Sequence, residues 1–518
     1  MKQKLMVGLV LAGVQWLALA SVAVPAAEGY GLSLSEALRM ALENNLDLIS
    51  ARTEPDISAE QVAIEEAGYD FSMAIDPTHS ESKQEISNLF SLNEFTSDTG
   101  SVSIGKKLKF GADYGIELGL ERDEAAGPLV VTPTTYSADL GLSFTLPLIG
   151  SMNGTSAGRV ANTERLVLAQ GNLEISRHGL LLDALRVMEE TENAYWNVVA
   201  SQAVLATRRV ALTRSQELLA LNKKKVEVGT LAPIEITQAD AGVASNEEQV
   251  IIAEMDLANA EDDLRRLLNI PEGDPLWAMP VHPTDRPDIG AAAGIDLEQA
   301  MATALASRPE VLSARQTLRN DELSEKVARL KQRPGVALRA NLRPAGNNFE
   351  TLFDDMGQPT GQVSEGTFDE AITEIKDFDN YTWSVGVDFN YTIGNRAAKA
   401  NYSVAGLNRH KSEIALENQE QLIRVDVRRA VRAVESGAKR IEAAQKNVVL
   451  QQKKLEAEHK KFENGMSTSF EVLTFQNDLA EAELGSIQAA LDYTRARTSL
   501  ERSKGTLLEA RGLSLDTE

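Results

Sequence analysis

Apolar residues at every seventh position, Val198, Leu205, Leu212, Leu219 and Val226, return 236 positions later as Val434, Ile441, Val448, Leu455 and Phe462. A strict seven-residue repeat requires long helices that supercoil left-handedly about neighbours. Each run stops three residues before a glycine, Gly229 or Gly465, and each is preceded by segments that alternate apolar and polar residues with period two. Helix-period and strand-period blocks alternating in a duplicated chain describe a half-barrel unit used twice. A second offset agrees with duplication: Leu34, Ala37, Ala41, Leu42 and Ser50-Ala51-Arg52 match Leu297, Ala300, Ala304, Leu305 and Ser313-Ala314-Arg315. Ser33 and Asp296 stand where N-caps would open these two helices.

This divides the chain into a leader (1–27), a first repeat (28–294) and a second (295–518). The first repeat reads as a short helix, strands over 71–148, a long helix over 155–228, a short helix over 233–269 and a Pro/Gly-rich linker over 270–294. The second reads as short helices over 297–333, strands over 335–393, a long helix over 396–464 and a helix over 470–511. In the first repeat the short helices together match the long one in length, and the second repeats this less evenly. Stacked end to end, they make paired rods on the order of 105 to 110 Å, at about 1.5 Å per residue. Ala206 and Ala220, beside the seam, leave room for a second neighbour, while Ser201, Arg208, Ser215 and Asn222 put polar groups where a dimeric coil wants apolar ones.

Among 518 residues only 5% are aromatic, which disfavours one large globular core. The formal charge of -24 repels nucleic acid and favours cations in any passage the chain lines. Lys2 and Lys4 precede a mostly apolar stretch from Leu5 to Ala20 and then small residues through Ala27, the layout of a cleavable secretory signal. No later segment has about 18 consecutive apolar residues, so no other part could cross a membrane as a helix. With Cys 0 there is neither a disulfide nor a thiol for an amino-terminal lipid, and anchoring falls to the fold.

The strands supply that anchor. Tyr381, Trp383, Val385, Val387, Phe389, Tyr391 and Ile393 alternate with polar residues or glycine, and so do Tyr136, Ala138, Leu140, Leu142, Phe144, Leu146 and, with one proline, Leu148. Val336, Leu338, Ala340 and Leu342 alternate with Arg339, Asn341 and Arg343. Segments of about 9 to 11 residues, greasy on one face and polar on the other, with aromatics near their ends, are those of a transmembrane β-barrel. A soluble sandwich alternates too. Even positions between Val102 and Leu120 are mostly apolar, as one long strand or as a hairpin turning near Gly111-Ala112-Asp113, which would give the first repeat an extra strand pair with Phe71, Met73 and Ile75 so that the repeats need not contribute equally. The acid-rich stretch from Pro344 to Asn380 reads as an outward-facing loop. About four membrane strands cannot close alone, because both sheet edges would leave backbone groups unpaired in hydrocarbon. Copies of the chain must therefore join edge to edge in a heterologous ring.

The chain resembles the TolC family of outer-membrane efflux and export channels over nearly its whole length. The carriers are the repeated Leu-x-x-Ala-Leu opening (Leu34 to Leu38, with Met301 as the departure), the passages Leu146-Pro147-Leu148-Ile149-Gly150 and Ile393-Gly394-Asn395-Arg396, and the paired tips Val228 to Ile236 and Asn464 to Val472. The resemblance implies a mainly α, internally duplicated TolC-like fold: a long coiled-coil α-helical barrel joined to an oligomeric transmembrane β-barrel, with twelve strands from a trimer. It implies the outer membrane of a Gram-negative-type bacterium, with the tube reaching into the periplasm. The chain would be a passive conduit in a tripartite efflux or type I secretion system, served by an inner-membrane pump and a periplasmic adaptor. Gly229, Thr230, Leu231, Gly465, Met466 and Ser467 form the tips on which the adaptor would dock. Glu471 falls on an acidic aperture position, Thr474 on the other, and Phe462 on that of a frequent tyrosine. Tyr136, Leu140, Leu142, Phe144 and the Tyr381–Tyr391 series face lipid.

No catalytic or cofactor chemistry is expected. His79, His178, His282, His410 and His459 are scattered with no i, i+3 or i, i+4 pair, and no Cys joins them as a metal ligand. Lys504-Gly505 fails the phosphate-loop spacing. A periplasmic coiled-coil scaffold or adaptor without a pore is the competing reading, and a surface hydrolase would need a convergent polar site.

Overall fold

The computed structural model describes residues 30–85, 94–126, 134–149, 161–274, 277, 279–287, 294–347, 351–353, 359–363 and 367–515. The expected leader, 1–27, lies outside them, as do residues 275, 276, 278 and 288–293 of the linker. The first repeat runs β1 (Tyr30–Leu32), α1 (Leu34–Asn44), α2 (Leu46–Ala67), β2 (Phe71–Lys83), β3 (Glu94–Lys107), β4 (Asp113–Ala126), β5 (Thr134–Ile149), α3 (Glu164–Glu227) and α4 (Ile234–Leu268). After β6 (Val281–Pro283) come α5 (Leu297–Ser307), α6 (Pro309–Leu330), β7 (Gly335–Asn347), β8 (Thr351–Phe353), β9 (Pro359–Val363), α7 (Phe368–Asp377), β10 (Tyr381–Asn390), α8 (Arg396–Glu463), α9 (Ser469–Lys504) and α10 (Leu507–Ala510).

Ser33 Oγ accepts from the Glu36 N–H to open α1, and Asp296 accepts from the Glu298 and Gln299 N–H groups to open α5. The long helices hold 64 and 68 residues, about 96 and 102 Å at about 1.5 Å per residue, slightly short of expectation. α2 and α4 both lie along α3, and α6 and α9 along α8. α3 also touches α6 and α9, which sets the repeats side by side. The largest core gathers at mid-length, where Leu38, Leu48, Met188, Tyr195, Leu264 and Leu507 meet beneath the parallel β1–β6 pair. A buried carboxylate, Glu192, ties this level to the chain's end, accepting from Thr498 Oγ1 at 2.7 Å and Arg511 Nε at 3.0 Å.

The seam of α3 departs from its heptad. Val198 and Leu205 are buried, but below them Ala211, Ser215, Leu218 and Asn222 are buried while Leu212, Leu219 and Val226 are half-buried. The reason is that α3 serves two partners, α4 and α9, so burial spreads over a second stripe that includes the polar positions. Ala206 and Ala220 stay exposed.

Six strands form one antiparallel sheet in the order β10-β7-β5-β4-β3-β2, the repeats meeting at β5–β7. The stretch from Val102 to Leu120 is the hairpin: β3 and β4 join through a tight turn in which the Leu108 N–H bonds the Ala112 carbonyl at 2.7 Å and Gly111 takes φ +99°. The first repeat thus contributes four strands of 13 to 16 residues and the second two, the unequal share that the hairpin reading implies, with an extra strand pair beyond about four. β10 ends at Asn390, so Tyr391 and Ile393 lie beyond the strand they were expected to extend. The stretch from Pro344 to Asn380 is not a loop throughout. β7 runs into it, β8 and β9 pair within it, and α7 follows, opened by a capping box between Thr367 and Glu370. Asp354, Asp355 and Glu365 lie outside the described residues.

Candidate functional site

Hydrogen-bonded neighbours carry a greasy row across the whole sheet. Trp383 stands opposite Leu342, then Leu142, Ile116, Ile104 and Met73 in turn. A parallel row joins Val385, Ala340, Phe144, Tyr114, Lys106 and Phe71. The other face is polar: Arg343 Nε lies 2.9 Å from the Asp139 carboxylate as an ion pair, Asp388 pairs with Arg339, and Asn341 Nδ2 donates to Ser384 Oγ at 3.4 Å. Leu142 and Phe144 are partly exposed, and the apolar side chains of β10 are more than half exposed, on the greasy face where the sequence set them. Tyr136 and Leu140 differ. α7 lies over them, with Phe368 edge-on to Tyr136 at 4.9 Å and Ala371 and Ile375 packed with Ala138 against Leu120 and Leu140. Only glycine fits at 346 under this helix, since a Cβ there would stand 1.9 Å from the Ala371 carbonyl oxygen. Above the greasy band the same face turns polar, His79 Nδ1 meeting Asp98 at 2.6 Å and Arg122 reaching Asp98 at 3.2 Å.

At the far end of the rods the two tips share one geometry. Gly229 takes φ +76° and Gly465 φ +74°, and the residue after each donates its N–H back to a helix carbonyl, Thr230 to Lys225 at 2.8 Å and Met466 to Lys461 at 2.9 Å. These are left-handed helix ends that satisfy orphan carbonyls. Leu231 leans on the tip core of Leu218, Leu455, Phe462, Val472 and Leu473, whereas Val228, Ile234, Met466 and Phe470 stand out in solvent.

The tips are joined by contacts that the sequence did not announce. Lys225 Nζ donates to the Phe462 carbonyl at 3.0 Å and sits 4.1 Å over the Phe462 ring. Asn222 Nδ2 donates to Ser469 Oγ at 2.7 Å and to the Glu235 carbonyl at 3.1 Å, and the Ser469 N–H returns to the Glu235 carboxylate at 3.1 Å. Asn222, Ser469 and Phe462 are essentially inaccessible. The one legible hint was the polar Asn222 in a coiled-coil seam; its partners are 13 and 247 residues away.

Glu471 is engaged at the start of α9. It is the N3 residue of a capping box with Thr468, and its carboxylate lies 2.7 Å from Ser467 Oγ. Ser467 Oγ and then Lys461 Nζ hold the neighbouring Glu458 carboxyl below its usual range. Thr474 Oγ1 donates to the Phe470 carbonyl at 2.8 Å and is exposed. Among the described residues no His/Cys/Asp/Glu group could hold a metal, and no helix is long and apolar enough to cross a membrane.

Residues 300–506 match a family model described as "Outer membrane efflux protein". Solved structures are similar over most of the chain. The CmeC outer membrane channel of Campylobacter jejuni is 17% identical with a TM-score of 0.63, covering 94% of this chain and 90% of its own. The outer-membrane channel OprN is 16% identical with a TM-score of 0.65, covering 91% and 90%. The outer membrane protein VceC of Vibrio cholerae is 14% identical with a TM-score of 0.63, covering 91% and 96%. No curated protein sequence matches the chain.

Proposed function

We infer that this chain is the outer-membrane channel of a tripartite efflux system, since residues 300–506 match the outer membrane efflux protein model and the chain shares its fold with outer-membrane channels over more than 90% of its length. The observation that carries this reading is the unbroken greasy row across six strands, set at one end of rods about 100 Å long. A sheet greasy on one face and polar on the other, far wider than α7 can cover, belongs in lipid once its edges are paired. The rods, several times longer than the roughly 30 Å hydrocarbon core, carry the conduit onward through the periplasm.

Copies of the chain supply the missing edges. α8 forms one side of the helical layer and carries fifteen Lys and Arg against nine Asp and Glu, whereas α4, on the other side, carries two against nine. Each copy thus offers a cationic side to the anionic side of the next, as a heterologous ring requires. A trimer follows the family. The exposed tip side chains Val228, Ile234, Met466 and Phe470, beside Gly229 to Leu231 and Gly465 to Ser467, are the docking face for a periplasmic adaptor, and an inner-membrane pump supplies the energy. Copies of Glu471 around the axis would favour cations at the tip aperture, with Thr474 beneath adding no charge. Phe462 acts through Lys225, which takes over the link between hairpins that a tyrosine hydroxyl could make.

Reconstitution into a planar bilayer tests the function. Discrete conductance steps are expected, whereas a water-soluble, electrically silent protein would support the pore-free scaffold.

A further inference from the structure

We propose that this chain closes its barrel with all six strands per copy, β2 of one copy pairing with β10 of the next, so that a trimer has an eighteen-stranded barrel rather than one of twelve. The proposal rests on the reading of the chain as a membrane channel and concerns how wide that channel is.

Three observations carry it. First, the two outer strands are the bare ones: all thirteen residues of β2 and all ten of β10 are exposed. Their greasy side chains end the same rows, Phe71 with Val385 and Met73 with Trp383. Second, the directions agree. β2 leaves the helical end of the sheet and β10 returns to it, with four alternating strands between, so identical copies meet antiparallel. Third, the stagger is that of a closed barrel. The row that begins at Phe71, the first residue of β2, crosses five strand pairs and reaches Val385, five residues short of the end of β10 at Asn390. One residue of stagger per strand is the ratio of a barrel with eight strands and a shear of eight, whose strands tilt about 36°. That lies within the tilt that membrane barrels use.

The alternative keeps twelve strands by leaving β2 and β3 outside the wall and making β4 the edge. It would break the row between Ile116 and Ile104, which is continuous here. It would also uproot the β3–β4 turn, which is held at the helical end by Lys109 on Glu66 at 3.6 Å and over the Tyr69 ring at 5.8 Å. Barrel diameter grows roughly linearly with strand number, so eighteen strands give a bore about 1.5 times that of twelve.

Continuing the stagger by one residue places Val387 opposite Ile75 of the next copy and Phe389 opposite Met73. Because the chain has Cys 0, cross-linking can be read without background. Val387→Cys is combined in turn with Phe71→Cys, Met73→Cys, Ile75→Cys or Pro77→Cys, and separately with Tyr114→Cys, Ile116→Cys, Leu118→Cys or Leu120→Cys. The full-length protein is oxidised in outer membranes. Covalent oligomers are expected from the β2 series, peaking at Ile75→Cys, and not from the β4 series. Oligomers from the β4 series alone, or from neither series, would overturn the proposal. Planar-bilayer conductance of the cysteine-free protein, measured in parallel, separates this failure from that of the channel reading: conductance persists in the first case and is absent in the second.

Discussion

Replacing Lys225 with Met tests whether the link between the two tips holds them together. Methionine keeps the unbranched apolar stem and removes both interactions of the ammonium, the bond to the Phe462 carbonyl at 3.0 Å and the contact over its ring at 4.1 Å. A hydrogen bond from a charged donor contributes about 1.5 to 3 kcal/mol and a solvent-reached cation–π contact about 0.5 to 1 kcal/mol. Lys225 is only half-buried and the two terms share one group, so the combined loss is about 1 to 2 kcal/mol. That corresponds to roughly a 5- to 30-fold rise in the population with the α3–α4 and α8–α9 tips apart. Amide hydrogen exchange over 222–236 and 458–475 reads the separation directly, and the open fraction of single channels reads its consequence. Lys225→Arg keeps the charge and should restore most of both. Exchange and open fraction unchanged in Lys225→Met would refute the assignment of a holding role to this residue.

Glu471→Gln keeps a capping-box partner but removes the charge, so it should weaken block of the channel by divalent cations while α9 retains its exchange protection; unchanged block would place Glu471 away from the aperture. Because Glu458 titrates below its ordinary range in the folded tip, its contribution is in place at and above that range and is lost as pH falls below it through the lowered folded value. Acid should therefore loosen the α8–α9 tip before the mid-length core, as limited proteolysis against pH would show, and Glu458→Gln should remove the difference. Gly346→Ala drives a methyl group into the Ala371 carbonyl and should lift α7 off the sheet at a cost of about 1 to 3 kcal/mol, read as faster proteolysis within 368–377 with the six-stranded sheet intact.

The duplicated heptads, the N-caps at Ser33 and Asp296 and the tip glycines were legible because each is a local signal: a spacing, a cap or a left-handed turn. The alternation of β10 and β7 was legible for the same reason, and so was the family resemblance built on these pieces. The Gly111 turn left two readings open, because a long strand and a hairpin share one alternation until tertiary contacts fix the turn. α7 was hidden by its acids, although Thr367-x-x-Glu370 and the i, i+4 pair Ala371 and Ile375 were the signals of a capped amphipathic helix. The shifted seam of α3 and the Lys225–Phe462 link depend on which helices become neighbours, information that spacing along one helix does not contain.

On the channel reading, the greasy face of the sheet is bathed in lipid while its opposite face lines water. Nitroxide labels placed singly at each position from 381 to 390 of the reconstituted protein test it most directly. Oxygen accessibility is expected to peak at 383, 385, 387 and 389, and access of a water-soluble nickel chelate at 382, 384, 386 and 388. Chelate access at every position, or a profile without period two, would contradict it.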